Sequence, residues 1–429
     1  MWTFLAFVCI LDFMNDFPRV FLKSREEREI LDGFPWVFDN EIDFIRWKES
    51  NGTVLSKSLN ESEIENGNLV EVYAHTGAFL GTGVFNRASK IVVRIFATLH
   101  ADKIAEDLDS WWDKAVRNAV NIRRLSYADS ESCRLIFAEA DFIPGLIVER
   151  YASDSGVFLV VQFLALSAEV FREQILKALI NCCSPDGIFE RSDADVRKKE
   201  GLSEKSGWIF GSGKEILSIT ENGIKLKIDI KNGQKTGYFL DQKENRAKVA
   251  KFCKGKKVLD TFTHTGAFAL NAAKNGAKEV IACDISQDAC EIVKQNVLAN
   301  KSEKIISVVC KDVFDLLKEY ESSGEKFDVI ILDPPAFAKS VKQIQKAYSG
   351  YKEINLRAMR LLNSGGILVS CSCSHYFDEQ TFYSMLLHAA RDSHKRVQVL
   401  EKRGAASDHP ILLGYPKSEY LKCAICRVL

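Results

Sequence analysis

The sequence has no excess charge of either sign, because 58 lysines and arginines balance 58 aspartates and glutamates among 429 residues. A chain without net charge has no overall field that draws it to nucleic acid or to an anionic membrane, so any RNA binding must come from local patches. Long apolar runs are also missing, since after residue 17 no run approaches the roughly 18 residues that cross a bilayer. We therefore expect no membrane partner.

The first 17 residues, MWTFLAFVCILDFMNDF, are apolar but lack the features of a secretory signal. No basic residue precedes the run, and Asp12 and Asp16 follow it at once, which makes a signal peptide the minority interpretation. We predict that residues 1–18 are an N-terminal extension and that the protein is cytoplasmic.

A disulfide framework is not indicated. The 12 cysteines are scattered and mostly lie in apolar runs, as Cys283 and Cys310 do, which is typical of buried thiols in a reducing compartment. Cys423 and Cys426 form a single CxxC pair, but on a terminal strand these two positions face opposite sides. The sequence therefore predicts no metal site.

The glycine-rich turn of a dinucleotide site is absent from residues 256–284, the stretch around which the chain is organised. Its pattern predicts a strand, a turn, a helix and a second strand. The turn contains only Gly266, so a bound pyrophosphate is a poor hypothesis. S-adenosylmethionine fits better, because Asp284 can hold its ribose and Asp260 is compatible with its cationic groups. Another doubly wound enzyme explains this stretch alone about equally well.

Acidic residues follow successive strands of the predicted sheet. From residue 231 onward we predict an α/β, doubly wound Rossmann-like domain of seven strands with helices on both faces. Parallel strands end at one edge, so acids at four strand ends should converge on one crevice, although any single one could be a helix cap. The polar and aromatic segment 234–246 could lie over the cofactor. The predicted cofactor-binding residues are Tyr238, Asp241, Asp260, Thr263, Gly266, Asp284, Asp312 and Asp333.

A rigid turn follows Asp333, because Pro334 and Pro335 restrict the backbone. Phe337 comes next and could stack on a planar substrate, and a flipped-out base is the natural occupant. We therefore predict that Pro334, Pro335 and Phe337 bind substrate. The alternative is a loop in which Phe337 packs into the core.

Two cysteines, Cys371 and Cys373, leave the next strand end in the sequence SCSCSH. A thiolate beside a base pocket suggests methylation of cytosine C5, because thiolate addition at C6 makes that carbon nucleophilic. A free cysteine is mostly protonated at neutral pH, so the site must lower its pKa. On spacing alone, a structural role is the more common one for either residue.

The first third of the chain has a different pattern. Short alternating segments between residues 19 and 99 predict a small β-barrel. Basic residues, among them Arg25 and Arg28, give this region a face that could hold an RNA backbone, and a solvated surface is an equally weighted alternative. The pentapeptide HTGAF occurs at residues 75–79 and again at 264–268. No helix follows the first copy, so we predict a hairpin turn there.

Residues 100–230 form a second unit of mixed pattern. A connecting helix is predicted at residues 101–124 and another helix at residues 168–180, with strands on either side of the latter. Asn222-Gly223 predicts a hairpin. This unit is predicted to be a middle α+β domain.

With these residues in view, the chain resembles the RlmI-type family of bacterial RNA cytosine-5 methyltransferases, which act on 23S ribosomal RNA. The match runs from about Arg19 to Leu429. The shared motifs, in family order, are EADFIPGLIVERY at 139–151, ERSDADVRKKEG at 190–201, GQKTGYFLDQKENR at 233–246, LDTFTHTGAF at 259–268, LDPPAFAK at 332–339 and the SCS motif at residues 370–374.

The resemblance implies a PUA-like RNA-binding barrel at residues 19–99, a middle α+β domain at 100–230 and a class I methyltransferase domain at 231–429 that uses S-adenosylmethionine. Within the family the nucleophile is the cysteine of the SCS motif, which aligns best with Cys373, and Asp333 is the second expected catalytic residue. The implied partner is large-subunit ribosomal RNA. The oligomeric state is open, with a homodimer as one option.

Two other functions remain as alternatives at this stage. A guanine-N7 methyltransferase also carries a DPP-type motif but needs no thiolate, because its target nitrogen already has a lone pair. A non-catalytic RNA-binding or assembly protein could retain the cofactor fold. Cys373 distinguishes the first alternative, and binding of S-adenosylmethionine distinguishes the second.

Overall fold

The computed structural model describes residues 17–338 and 340–429, which form three β-sheets of seven strands each, with helices packed against them. The predicted N-terminal extension lies almost wholly outside the described residues. Within them, no helix is both long and apolar enough to cross a membrane.

The first sheet has the strand order β2-β7-β6-β5-β1-β3-β4. Its inward side chains, such as Val20, Val72 and Val93, are fully buried in one core. The first HTGAF copy is the turn between two antiparallel strands, as predicted. The elements are β1 Arg19–Leu22, α1 Glu27–Leu31, β2 Trp36–Phe38, β3 Ile42–Lys48, β4 Val54–Lys57, β5 Leu69–Tyr73, β6 Phe79–Phe85 and β7 Ile91–Ala97.

The second sheet belongs to the middle of the chain. The hairpin predicted at Asn222-Gly223 joins its last two strands. The elements are α2 Ala101–Ala105, α3 Leu108–Arg124, β8 Cys133–Phe137, β9 Leu146–Ser153, β10 Gly156–Phe163, α4 Leu166–Val170, α5 Arg172–Cys183, β11 Gly187–Ser192, α6 Val196–Lys199, β12 Lys205–Gly211, β13 Ile216–Glu221 and β14 Ile224–Asp229.

Both helices predicted as continuous in this unit are broken in two. Asp107 interrupts the first, because its backbone leaves the helical region and its side chain accepts a hydrogen bond from the Ser110 N–H at 2.9 Å, which caps α3. The second is interrupted at Phe171, which ends α4 and precedes α5 with ψ of 24°. Helical periodicity continues across both breaks, so the pattern alone did not show them.

The third sheet has the order β17-β16-β15-β18-β19-β21-β20, with the first five strands parallel and β21 antiparallel. All seven strands were predicted. The elements are α7 Lys243–Ala250, β15 Lys257–Thr261, α8 Ala267–Lys274, β16 Glu279–Asp284, α9 Gln287–Ala299, β17 Ile306–Cys310, α10 Val313–Ser323, β18 Phe327–Leu332, α11 Ile344–Leu361, β19 Leu362–Ser372, α12 Glu379–Asp392, β20 Val397–Arg403 and β21 Lys422–Val428.

Both faces of the third sheet are covered. Val258 packs into one core cluster and the next residue, Leu259, into another on the opposite face. Cys423 and Cys426 are divided in the same way, so the CxxC pair faces two sides as predicted. The strand order reverses between β15 and β18, and ligands of open α/β sheets bind at the carboxyl ends of strands at such a point.

A buried arginine ties the middle unit to the C-terminal segment. The Arg123 guanidinium on α3 donates to Asp141 at 2.5 and 2.7 Å and to the backbone oxygen of Asp408 at 2.8 Å. Arg123 and Asp141 are almost completely buried. Removing one partner of such a pair leaves the other charge without compensation.

We expect Arg123→Met to lower the free energy of unfolding by about 3–5 kcal/mol, because Asp141 would stay buried without its cation. Arg117→Met is the matched control on the same helix, since Arg117 pairs with Asp113 at 2.9 Å in an exposed position. Urea denaturation should show a large loss for the first variant and almost none for the second. Equal losses would contradict this account.

Candidate functional site

The predicted site residues lie at the carboxyl edge of the third sheet. Asp260 is next to last in β15, Asp284 ends β16, Asp333 directly follows β18 and Cys373 directly follows β19. The charges of Asp284 and Asp333 both act on Asp260. The structure therefore brings these residues together at one edge of the sheet, where open α/β sheets form their ligand-binding cleft.

Asp260 organises the loop that enters the cleft. Its Oδ2 atom accepts hydrogen bonds from the Thr263 hydroxyl at 2.5 Å and from the Ala269 N–H at 2.9 Å. Gly266 begins α8 with φ of 81°, and a Cβ atom there would lie 2.9 Å from a methyl carbon of Val293. Only glycine fits this turn without strain, which lets the turn before α8 pack closely against Val293 on α9.

Two further acids, Asp284 and Asp312, accept hydrogen bonds from loop backbones. Asp284 accepts from the His264 N–H at 2.9 Å and from the Ser286 N–H at 3.0 Å. Asp312 caps α10 by accepting from the N–H groups of Phe314 and Asp315. The sequence left helix capping as an alternative role for any one of the acids, and Asp312 has that role. Asp312 also follows the end of β17, and a contact between Asp312 and the cofactor stays a prediction.

Burial raises the pKa of both Asp260 and Asp333 to about 7. Within the described residues, the Oδ1 atom of Asp260 is buried and has no hydrogen-bond partner, an arrangement that costs free energy unless a ligand compensates for it. The sulfonium and ammonium of S-adenosylmethionine are cations that would do so. The acids at the strand ends and the unpaired Oδ1 atom of Asp260 therefore fit this cofactor.

Segment 234–246 lies against the cleft, but its residues differ in what they contact. The Phe239 ring packs edge-on against His264 at 4.9 Å, over the loop after β15. The Tyr238 hydroxyl instead donates to Glu221 at 3.0 Å and its ring is fully buried. Asp241 is buried and accepts from the Tyr420 hydroxyl. Its Oδ1 atom has no partner among the described residues.

Gln242 was not predicted and holds Asp333 in place. Its side-chain amide donates to Asp333 Oδ1 at 2.9 Å. The only signal for it in the sequence was its position within the motif at 233–246.

Loop 333–338 is joined to the loop that carries Cys373. The Ser374 hydroxyl accepts from the Ala338 N–H at 3.3 Å and lies 3.0 Å from the Tyr351 hydroxyl. The Phe337 ring packs on Tyr351 with ring centroids 4.5 Å apart. This is the packed arrangement that the sequence left as the alternative for Phe337, although part of the side chain remains exposed to solvent.

The two cysteines after β19 have different environments. Cys371 is fully buried and is the cross-strand neighbour of Cys423 on β21. Cys373 lies beyond the last paired residue and is half-buried. Burial raises the pKa of the Cys373 thiol, the charge of Lys235 lowers it, and those of Asp333 and Asp241 raise it further. Cys373 therefore shares the electrostatic environment of the cleft.

Lys422 is a second residue that the sequence did not point to. Its ammonium donates to the backbone oxygens of Ser374 and Tyr420, each at 2.8 Å. Burial lowers its pKa to about 8. Lys422 therefore fixes the loop that carries Cys373.

The basic residues predicted to bind RNA lie on the first sheet's side of the molecule. Arg25 and Arg28 are exposed, in the turn before α1 and within α1. Trp36, at the start of β2, is used in packing: its indole donates to Glu139 at 2.9 Å, and the Lys417 ammonium lies 4.2 Å from its ring.

The raised pKa of Asp260 predicts an unusual pH dependence of stability. The folded pKa of about 7 lies above the ordinary value of 3.8, so ionisation destabilises the folded state as the pH rises from about 4 to 7. Asp260→Asn mimics the neutral form. We expect its gain in unfolding free energy to be larger at pH 8 than at pH 5.5 by on the order of 1–2 kcal/mol.

The control variant should change the free energy of unfolding in the opposite direction. The N–H of Thr381 lowers the pKa of Asp378, which caps α12. Asp378→Asn should therefore lose stability at pH 8 in the same urea denaturation series. A gain for Asp260→Asn that does not change with pH would refute the assignment of the titrating group.

Two parts of the chain match known family models. Residues 195–407 match S-adenosylmethionine-dependent methyltransferases, and residues 20–98 match PUA-like domains. A putative methyltransferase from Streptococcus mutans has the same fold, with a TM-score of 0.77 at 20% identity over 95% of this chain and 99% of its own. A putative methyltransferase complexed with SAH has a TM-score of 0.76 at 20% identity, with the same coverage.

Relatives of higher identity span nearly the whole chain. The ribosomal RNA large subunit methyltransferase I of Aliivibrio fischeri is 38% identical over 414 residues, which are 96% of this chain and 99% of that protein. The protein of the same name from Aeromonas hydrophila is 39% identical over 422 residues, with 95% and 98% covered. The chain is therefore a member of the ribosomal RNA large subunit methyltransferase I family and uses S-adenosylmethionine as its cofactor.

Proposed function

We propose that this protein methylates C5 of a cytosine in large-subunit ribosomal RNA, with Cys373 as the nucleophile. The observation that carries the proposal is the position of Cys373, which leaves β19 beside the Asp333 loop and shares that residue's electrostatic environment. A methyltransferase acting on a ring nitrogen would have no use for a thiol there. Membership of the family supports ribosomal RNA as the substrate class.

The chemistry explains why a thiol is needed. Cytosine C5 is a poor nucleophile, and the cofactor supplies only an electrophilic methyl group. Addition of the Cys373 thiolate to C6 gives C5 the electron density to accept the methyl, and loss of the C5 proton then expels the thiolate. One cysteine is therefore enough for both the addition and the release.

Asp333 is suited to assist the addition. Its carboxyl, with a pKa near 7, can carry a proton at neutral pH and share it with the cytosine ring as electron density moves away from C6. The hydrogen bond from Gln242 to Oδ1 fixes the orientation of the carboxyl. Asp333 thus has the proton affinity that an acid–base group needs at neutral pH.

The other predicted residues divide between cofactor and RNA. Asp260 and Asp284 are proposed to face the charged groups and the ribose of the cofactor, with Thr263, Gly266 and Asp312 shaping the same pocket and Tyr238 and Asp241 closing it from segment 234–246. Pro334 and Pro335 would form the rigid wall for the base, with the free edge of Phe337 beside it. Arg25 and Arg28 would contact RNA phosphates outside the cleft.

Cys373→Ala should lower methyl transfer to large-subunit RNA by several orders of magnitude, because C5 would lose its activation. The measurement is transfer of labelled methyl from S-adenosylmethionine to RNA from cells that lack this gene. The wild type should also form a covalent adduct with RNA that contains 5-fluorocytosine, since fluorine at C5 cannot leave as a proton does.

Cys371→Ala is the matched control, because Cys371 lies on the same strand but faces Cys423 in the core. It should keep methyl transfer and adduct formation, with some loss of thermal stability. Turnover by Cys373→Ala close to that of the wild type would favour guanine-N7 methylation. If the wild type fails to bind S-adenosylmethionine in calorimetry, every methyltransferase assignment fails.

A further inference from the structure

A loop on the rim of the cleft presents one lysine above the site. Lys235 lies between Gly233 and Gly237, and its own φ of 53° is left-handed, a region that side chains other than glycine rarely adopt. Such strained positions persist only when neighbouring contacts fix them. Contacts on both sides of Lys235 hold this loop.

Both ends of the loop are held from the second sheet. The Arg191 guanidinium donates to the backbone oxygens of Ile230 and Gly233, at 2.8 and 3.1 Å. On the other side of Lys235, Thr236 is fully buried and its hydroxyl donates to Glu149. The tip of the loop is therefore fixed, while the Lys235 side chain is exposed.

The Lys235 ammonium lies over the aromatic side of the cleft. It is 4.8 Å from the centroid of the Phe239 ring and 5.8 Å from that of Tyr420. Tyr420 in turn packs against His375, with ring centroids 5.3 Å apart, and His375 follows Cys373 by two residues. This chain of contacts brings the ammonium near the loop that carries Cys373, on which its charge acts.

Lys235 and Lys422 both act electrostatically on Cys373, but their ammonium groups have different partners. The Lys422 ammonium already donates to two backbone oxygens. For Lys235, the described residues include no carboxylate within ion-pair distance and no hydrogen-bond acceptor. Its charge is therefore available to a group in the cleft.

Lys422 also interacts electrostatically with Cys373, whereas the acids and tyrosines near Cys373 oppose ionisation of its thiol. Asp333 and Asp241 are both buried acids beside it, and Tyr351 and Tyr420 also lie within its electrostatic range. A thiolate next to two carboxylates needs a cation, because like charges at short range raise a thiol pKa. The charge of Lys235 acts on Cys373, Asp333 and Asp241 alike.

We propose that Lys235 is a positioning residue for the reaction: its ammonium stabilises the Cys373 thiolate against Asp333 and Asp241. The inference rests on the proposed function in taking Cys373 as the nucleophile. In the step concerned, the S–H bond of Cys373 breaks, the electron pair stays on Sγ and the proton leaves to water. The ammonium keeps all its protons, so Lys235 acts through its charge alone.

The test is the pH dependence of Cys373 alkylation by iodoacetamide in the full-length protein, without RNA, followed by mass spectrometry of the peptide that contains Cys373. Lys235→Met keeps the length of the side chain and removes the charge. We expect it to move the alkylation profile to higher pH and to slow alkylation at pH 7.5 by a factor of about 3 to 10. Lys235→Arg should restore the wild-type profile.

Lys231→Met is the matched control, because Lys231 lies four residues away and pairs with Glu215 at 2.8 Å. It should leave the profile of Cys373 unchanged. An unchanged profile for Lys235→Met would overturn the proposal, and weaker RNA binding by that variant would then assign Lys235 to a phosphate. A shifted profile together with normal methyl transfer by Cys373→Ala would instead show that the proposed function fails while the contact stands.

Discussion

Two buried carboxyls at one edge of the third sheet set the electrostatic character of the site. Burial raises the pKa of Asp260 and Asp333 to about 7, and neither forms an ion pair within the part of the chain described here. Such groups favour a cationic ligand over a neutral one. The sulfonium of S-adenosylmethionine, the cofactor of this family, is a cation of that kind.

The architecture that creates this edge could be predicted from the sequence. Strands of a parallel sheet are buried on both faces, so they form continuous apolar runs whose short length and flanking turn residues distinguish them from helices. Each run ends where a polar residue must reach the crevice, as at Asp284 and Asp333, and the pattern therefore also located the acids. The apolar pattern did not predict where helices break, because Asp107 and Phe171 interrupt segments in which the helical periodicity continues.

The surroundings of the thiol could not be predicted in this way. Gln242 and Lys235 lie in segment 234–246, whereas Tyr420 lies just before β21, and these two segments meet only in the folded chain. None of them has a spacing that implies its neighbours. For Phe337 the sequence predicted too much. Its position after two prolines suggested a free stacking surface, but Tyr351, on a later helix, packs against one face of the ring.

Cys371 and Cys373 differ in their backbone pairing. In the sequence they are nearly equivalent, because each is flanked by serines and a separation of two residues gives both the same side of a strand. Pairing between β19 and β21 ends at Ser372 and Lys422, so Cys371 stays opposite Cys423 in the core. Cys373 falls one residue beyond the ladder, where Lys422 holds the next backbone oxygen. The register of this antiparallel pair thereby leaves Cys373, the proposed nucleophile, outside the ladder and keeps Cys371 within it.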